Sequence, residues 1–420
     1  MSAAAAHVRT DPPGRLPRLL GGLHAEDRAV SLELHLRRYG PLPLADDLAG
    51  VVEQSDLRGR GGAGFPTARK LAAVAAARGR PVVVVNAAEG EPASGKDKML
   101  LRYTPHLVLD GAAAAAAAVG ARDAIEAVSA RAADERARVE DALAERTRRR
   151  LDPVKFRVVP VPEAFVTGEE TALLRALAGK PAKPATKPPY PFQRGLDGRP
   201  TLVQNAETLA HLALVARFGA RWFREAGAPD APGTALVTLS GAFARPGVHE
   251  IELGWTLDDL LRRSGGATEP VSAFLVGGYF GGWVAATDAA AFRLTPESLG
   301  AGAVVAFPAD ACAMAECARI VSYLAGESAG QCGPCVHGLA ALANGFELIV
   351  RGDRRGNRAQ IERWAAMIAG RGACRHPDGA TRFAQSSLQT FAGELDQHLR
   401  HGRCGRTVRP VLPLGRRRAR

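Results

Sequence analysis

Aromatic residues are scarce in this 420-residue chain, at 5%, and cysteine is scarcer still, with six in total. Six cysteines in so long a chain exclude a disulfide framework, and four of them crowd between Cys312 and Cys335, where metal, redox chemistry or chance remain open. Long apolar runs are missing too. The longest, 112–121, is about half of the roughly 20 residues a membrane helix needs, so no bilayer span is expected. The N-terminus lacks the basic start and apolar core of a secretory signal. Residues 1–35, broken by prolines and charges, are therefore expected as a disordered lead-in, and the chain as cytoplasmic. Acidic residues are absent from 401–420, which hold seven arginines. This tail supplies more than half of the formal net charge of +12, so a nucleic-acid partner is not expected from overall basicity.

Hydrophobic residues at 46% and charged residues at 23% are ordinary for a soluble globular protein, and the length allows two to three domains. Helices are predicted over about 42–54 and 67–77, then a short buried strand over 81–86, PVVVVN. An alanine-rich helix at about 105–120, an Arg/Glu-rich helix at 134–150 and a strand at 155–161 follow. Alternation of strands and helices predicts an α/β domain over 36–228. Within 229–300 the order strand, strand, helix, strand reads as a small β-grasp-like module, its helix capped by Thr256. Over 308–400 apolar positions recur three and four apart in four segments, 311–325, 336–350, 358–368 and 380–399, which predicts a four-helix bundle ahead of the basic tail, 401–420.

Gly59, Gly61 and Gly64 satisfy G-x-G-x-x-G, but a helix precedes them and the first strand comes later, the reverse of a Rossmann fingerprint. The segment 58–67, RGRGGAGFPT, either cradles phosphate on its backbone, with Arg60 and Lys70 adding positive charge, or is a tight surface turn. Asn86 to Glu91 stands at the C-terminal end of a buried strand, where open α/β sheets bind ligands; an ordinary acidic loop is the alternative. Glu169 and Glu170, after Gly168, either line a pocket or start a helix whose dipole suits acids. Cys332 and Cys335, three apart at a helix start, suit a metal or cluster with Cys374 as a third ligand, a redox dithiol, or two inert thiols. Cys312 and Cys317 suit core packing, and Cys404 in the tail is assigned nothing specific.

Taken in order, 58–67 with Lys70, the run 86–92 (NAAEGEP), Lys96-Asp97, 168–173 (GEETAL), 187–189 (KPP), 205–208 (NAET) and 327–335 (ESAGQCGPC) resemble the NADH-binding flavoprotein subunit of respiratory complex I and related diaphorase subunits. The match runs unbroken over about 40–400. The resemblance implies an FMN domain, a β-grasp module of the SLBB type and a cluster-bearing helical bundle. It also implies an NAD(P)H:acceptor oxidoreductase that passes a hydride to FMN and then single electrons, through a 4Fe-4S cluster, to a ferredoxin or 2Fe-2S subunit. Such a chain can associate with a membrane complex through partners. Gly59, Gly61, Gly62 and Gly64 would form the loop over flavin and nucleotide. Lys70, Asn86, Glu91 and Asn205 would contact FMN or the nicotinamide ribose, Gly168, Glu169 and Glu170 would line the NADH side, and Phe65 and Tyr190 would flank the adenine. Cys332, Cys335 and Cys374 fall on three of the four cluster cysteines. The sequence departs from the pattern at Ala329, in place of the first cluster cysteine, at Ala88 and Ala73, and at Gln204. Glu327, Ser328, His337 and Cys317 are the alternative fourth ligands within the chain. Ala329, Ala88 and Ala73 motivate a second reading, a degenerate subunit that serves assembly or docking without turning over NADH.

Overall fold

The computed structural model describes residues 14, 16–21, 29–43 and 47–414. The first sheet has four parallel strands, β1 (Val82–Ala87), β2 (Asp123–Ser129), β3 (Lys155–Val161) and β4 (Thr201–Asn205), in the order β3-β2-β1-β4. Strand alternation divides the core: Val83 and Val85 join the cluster under the helices Pro105–Val119 and Ala206–Arg224, while Val82 and Val84 face Leu173 and Leu174 of the helix Glu170–Leu177. The alanines of 112–116 serve close approach. A Cβ at Gly111 would lie 1.9 Å from the Leu209 carbonyl oxygen, so only glycine permits this helix contact.

The strand β2 is missing from the sequence-based prediction, because Glu126 interrupts its apolar run. The Glu126 carboxylate is nonetheless fully buried, with no hydrogen-bond partner among the described residues. The expected helix over 42–54 instead begins at Leu48, capped by Asp47; residues 44–46 lie outside the described set.

A second sheet, order β8-β7-β9-β5-β6, comprises β5 (Thr234–Gly241), β6 (Gly247–Glu252), β7 (Val271–Val276), β8 (Gly282–Ala285) and β9 (Ala303–Pro308). Strands β9 and β5 are parallel and the other pairs antiparallel. The helix Leu257–Arg263 starts on a capping box between Thr256 and Asp259.

The C-terminal region holds five helices rather than four: Ala313–Gly326, Ala340–Val350, Arg358–Ile368, His376–Thr390 and Ala392–His401, with a π-helical turn at Pro334–Leu339. The segment expected as one helix over 380–399 breaks at Phe391 (φ −106°, ψ 30°), whose ring packs against Trp283 and Phe307.

Both termini are better packed than expected. Most of 1–35 lies outside the described residues, but within 16–21 Leu19 is fully buried and the Arg18 guanidinium donates to the Trp222 and Phe223 carbonyls, 4.0 Å from the Trp222 ring centroid. At the other end Thr407 pairs with Ala311 and Leu412 is buried. Residues 415–420 are not described. No described helix is long and apolar enough to cross a membrane.

Candidate flavin and iron–sulfur site

The glycine-rich segment closes on itself: the Gly59 N–H donates to the Phe65 carbonyl at 2.9 Å, and Arg58 bridges to Pro66. Its tip rests on the end of β4, where a Cβ at Gly61 would sit 3.2 Å from Asn205 Cβ. Gly62 (φ +104°) and Gly64 (φ +57°) take backbone angles that side chains disfavour. Arg60 does not add charge to a phosphate pocket. It is buried, donating to the Thr234 and Arg58 carbonyls, so it anchors the loop from below.

Beneath the loop, the register of β1 and β4 sets Asn86 opposite Asn205 at the C-terminal strand ends. Asn86 Nδ2 donates to the Gly168 carbonyl at 2.8 Å. Asn205 donates to Asp97 at 2.6 Å and accepts from Lys96 at 3.2 Å. Lys96 and Asp97 belong to the matched motif but have no role assigned from sequence. Lys96 is buried between Asp97 (2.7 Å) and Glu207 (3.0 Å). Burial opposes its charge, but the surrounding carboxylates outweigh this and raise its pKa.

Glu91 is brought to the same strand ends by a contact that sequence reasoning missed. Its carboxylate accepts from the backbone N–H groups of Tyr279 (2.8 Å) and Ala93 (3.1 Å). Tyr279 sits on the turn before β8, and a Cβ at Gly278 (φ +74°) would meet the Glu91 carboxylate at 2.6 Å. Burial pushes Glu91 up to about 7, against those two hydrogen bonds. The repeated glycines of 277–282, GGYFGG, were the available signal.

Glu169 caps the helix Glu170–Leu177, accepting from the Thr171 and Ala172 N–H groups. Glu170 lies between Lys187 (2.6 Å) and Lys70 (3.5 Å), and Lys187 also reaches Glu169 at 3.0 Å. Burial alone would raise the Glu170 pKa; the two ammonium groups outweigh it and hold the carboxylate below its usual range. Phe65 and Tyr190 are both about 45% exposed, and Tyr190 stacks on Phe192 with centroids 5.7 Å apart.

Cys332, Cys335 and Cys374 come together across the loop 327–335 and the turn before the helix His376–Thr390. Burial pushes the Cys335 thiol up to about 11, with Cys332 and Cys374 near enough to add to the effect and the nearby Ser328 hydroxyl opposing it. Cys317 is not among them: it is fully buried beside Ser387 and Trp283, which removes it as a fourth ligand. Glu327 is engaged as well, accepting from the Phe165 N–H at 3.0 Å, and Gln331 donates to the Pro184 carbonyl at 2.9 Å. These contacts dock the thiol loop on the α/β domain, beside a ring cluster of Phe165, Phe280, Tyr323 and His376.

A glycine-rich loop over paired parallel strand ends fits a flavin mononucleotide, and three converging thiols fit three irons of a cubane cluster. The class is thus a flavin-binding α/β domain coupled to an iron–sulfur region. Residues 52–214 match the family model of the Nuo51 FMN-binding domain, and 315–398 that of the NADH-ubiquinone oxidoreductase-F iron-sulfur binding region. An NADH-quinone oxidoreductase F subunit of Rhizobium meliloti, the one numbered 2, is 32% identical over 89% of this chain and 93% of its own length. The NADH-quinone oxidoreductase F subunit of Mycobacterium tuberculosis is 33% identical, covering 86% of each chain. In crystal structures of an NAD+-reducing NiFe-hydrogenase, a chain in the H2-reduced state superposes with TM-score 0.78 and 32% identity, and one in the air-oxidized state with 0.79 and 31%. This protein covers 62% and 65% of those two longer chains, which take up 84% and 89% of it. The chain belongs to the family of NADH-quinone oxidoreductase F subunits and carries that family's FMN-binding and iron–sulfur regions.

Proposed function

We propose that this chain is the NADH-oxidising subunit of a larger oxidoreductase, with a ferredoxin-like or 2Fe-2S partner as acceptor and with any membrane association made through partners. FMN supplies the conversion between two-electron and one-electron chemistry, and a 4Fe-4S cluster carries the single electrons. The observation that carries this reading is the docking of the three-thiol loop onto the α/β domain whose strand ends lie under the glycine loop. In this reading Gly59, Gly61, Gly62 and Gly64 let backbone approach flavin and nucleotide, while Lys70, Asn86, Glu91 and Asn205 orient the flavin or ribose. Gly168, Glu169 and Glu170 border the nicotinamide side, with Lys187 paired to both carboxylates, and Phe65 and Tyr190 offer exposed rings to the adenine. Glu91 holds or releases a proton near neutrality at the flavin side. Cys332, Cys335 and Cys374 hold three irons, and Ser328 Oγ, close to Cys335, takes the fourth position left by Ala329. The domains run 36–228, then an SLBB-type β-grasp module expected over 229–300 but carried on to Pro308 by β9, which lies between β7 and β5 in its sheet, and 308–400 as a helical cluster domain.

Anaerobic purification followed by visible spectroscopy, iron analysis and NADH addition tests this. Flavin absorbance bleached by NADH is expected. A protein that takes up no FMN on reconstitution would overturn the reading in favour of the docking role motivated by Ala329.

A further inference from the structure

Cys312 and Cys404, which read from sequence as a core and a tail residue, meet in three dimensions. Cys312 caps the helix Ala313–Gly326. Glu394 and His398 stand four apart on one face of the helix Ala392–His401. Past that helix, left-handed turns at Gly402 (φ +71°) and Gly405 (φ +73°) flank Cys404. One donor atom from each of the four lies within 4.8 Å of all the others. Cys312 Sγ and His398 Nε2 are 3.4 Å apart, about the edge of a tetrahedron whose centre is roughly 2.0–2.3 Å from each donor. Three of the four residues are buried: Cys312 is 2% exposed, His398 5% and Glu394 6%.

We propose that Cys312, Glu394, His398 and Cys404 form a structural zinc site, separate from the three cluster thiols. Two sulfurs, one imidazole nitrogen and one carboxylate oxygen, drawn together in a largely buried set of four, match the preferences of this borderline-soft divalent ion. Binding displaces one proton from each thiol to solvent. Two thiolates and a carboxylate then exceed the charge of Zn2+ by one, and Arg406, 3.2 Å from Glu394 Oε2, balances the remainder. The Met314 N–H donates to Glu394 Oε1 at 2.9 Å and orients the carboxylate, a supporting contact of the kind metal ligands need.

The ion would clamp the C-terminal tail. Immediately beyond the site the Cys312 N–H donates to the Thr407 carbonyl and the Thr407 N–H to the Asp310 carbonyl, while Glu316 Oε1 accepts from the Val411 N–H. The tail then meets the Tyr279 hydroxyl at the Pro413 carbonyl, and the Tyr279 backbone holds Glu91. The clamp therefore ends on the turn that presents Glu91 at the strand ends.

Zinc and iron are measured together, by mass spectrometry, on full-length protein purified anaerobically, dialysed against a mild chelator and titrated with Zn2+. One zinc per chain is expected, with two sulfur and two nitrogen or oxygen scatterers in its X-ray absorption. Cys404→Ser and His398→Gln should each weaken zinc retention at least tenfold with iron unchanged, whereas Cys335→Ser should lose iron and keep zinc. Cys404 is partly exposed beyond the last helix, so its substitution keeps the test usable if a change at buried Cys312 prevents folding. Trypsin should cut at Arg403 or Arg406 several-fold faster after zinc removal. Zinc content indifferent to Cys404 and His398, zinc that follows Cys335, or a Cys312–Cys404 disulfide in place of the ion would overturn the proposal.

Discussion

Two groups of thiols occupy one helical region and differ in what surrounds them. Cys332 and Cys335 end a segment that docks against the α/β domain through Glu327 on Phe165 and Gln331 on Pro184, with Cys374 on a nearby turn, while Cys312 and Cys404 sit at helix ends under the chain's own tail. In the proposed function the first group holds the cluster that passes electrons between domains. The second faces no other cofactor residue, and its neighbours are capping and tail contacts. On the two proposals made above, thiols of the same intrinsic chemistry divide into an electron-transfer role and a clamping role by position alone. The carboxylates of the α/β domain divide in a parallel way: Glu170 is held charged by two lysines, whereas Glu126 is buried with no partner among the described residues.

The largest effect that sharpens the thiol comparison is expected from Cys335→Ser, which should remove nearly all cluster iron and the EPR signal of the reduced protein. An unchanged signal would break the assignment of the first group. Next, Cys404→Ser should leave that signal intact and lower the melting temperature by several degrees, since a clamp on the order of 1–3 kcal/mol is lost; calorimetry on zinc-loaded protein reads the difference. Ala329→Cys supplies a fourth thiol and should slow iron loss in air several-fold; loss at the parental rate would show that the position does not face the irons.

The carboxylate contrast predicts a smaller effect. Burial raises Glu126 to about 8 from its ordinary 4.5, so the folded state holds a proton that the unfolded state releases. Its contribution to stability is complete below about pH 4.5 and is lost as pH rises through 8. Between pH 7 and 8 the wild type should lose about 1 kcal/mol of unfolding free energy that Glu126→Gln retains, measured by urea titration. Equal pH slopes would place a partner on Glu126.

Much of the first thiol group was legible in sequence. Cys332 and Cys335 are three apart in one segment, and Gly59 to Gly64 are contiguous, so local spacing carries their chemistry. Cys374, 39 residues beyond Cys335, was offered as a third ligand from residue type and its loop position, and the family resemblance then set it on a cluster position. The strand β2 escaped because a carboxylate in a buried strand contradicts the apolar pattern by which buried strands are found. Arg60 reads as a phosphate ligand by charge and became an internal anchor because the Thr234 and Arg58 carbonyls face it.

By itself the sequence determined the parallel α/β core, the glycine loop and the paired cysteines, because each is written in short-range periodicity or spacing. Tertiary structure alone decided which buried groups meet. Glu91 reaches Tyr279 across 188 residues, Cys312 reaches His398 across 86, and the tail returns to Ala311. Such contacts depend on where two distant backbones cross, a quantity fixed by packing of whole layers and by glycines such as Gly278 and Gly402 that let the chain turn there.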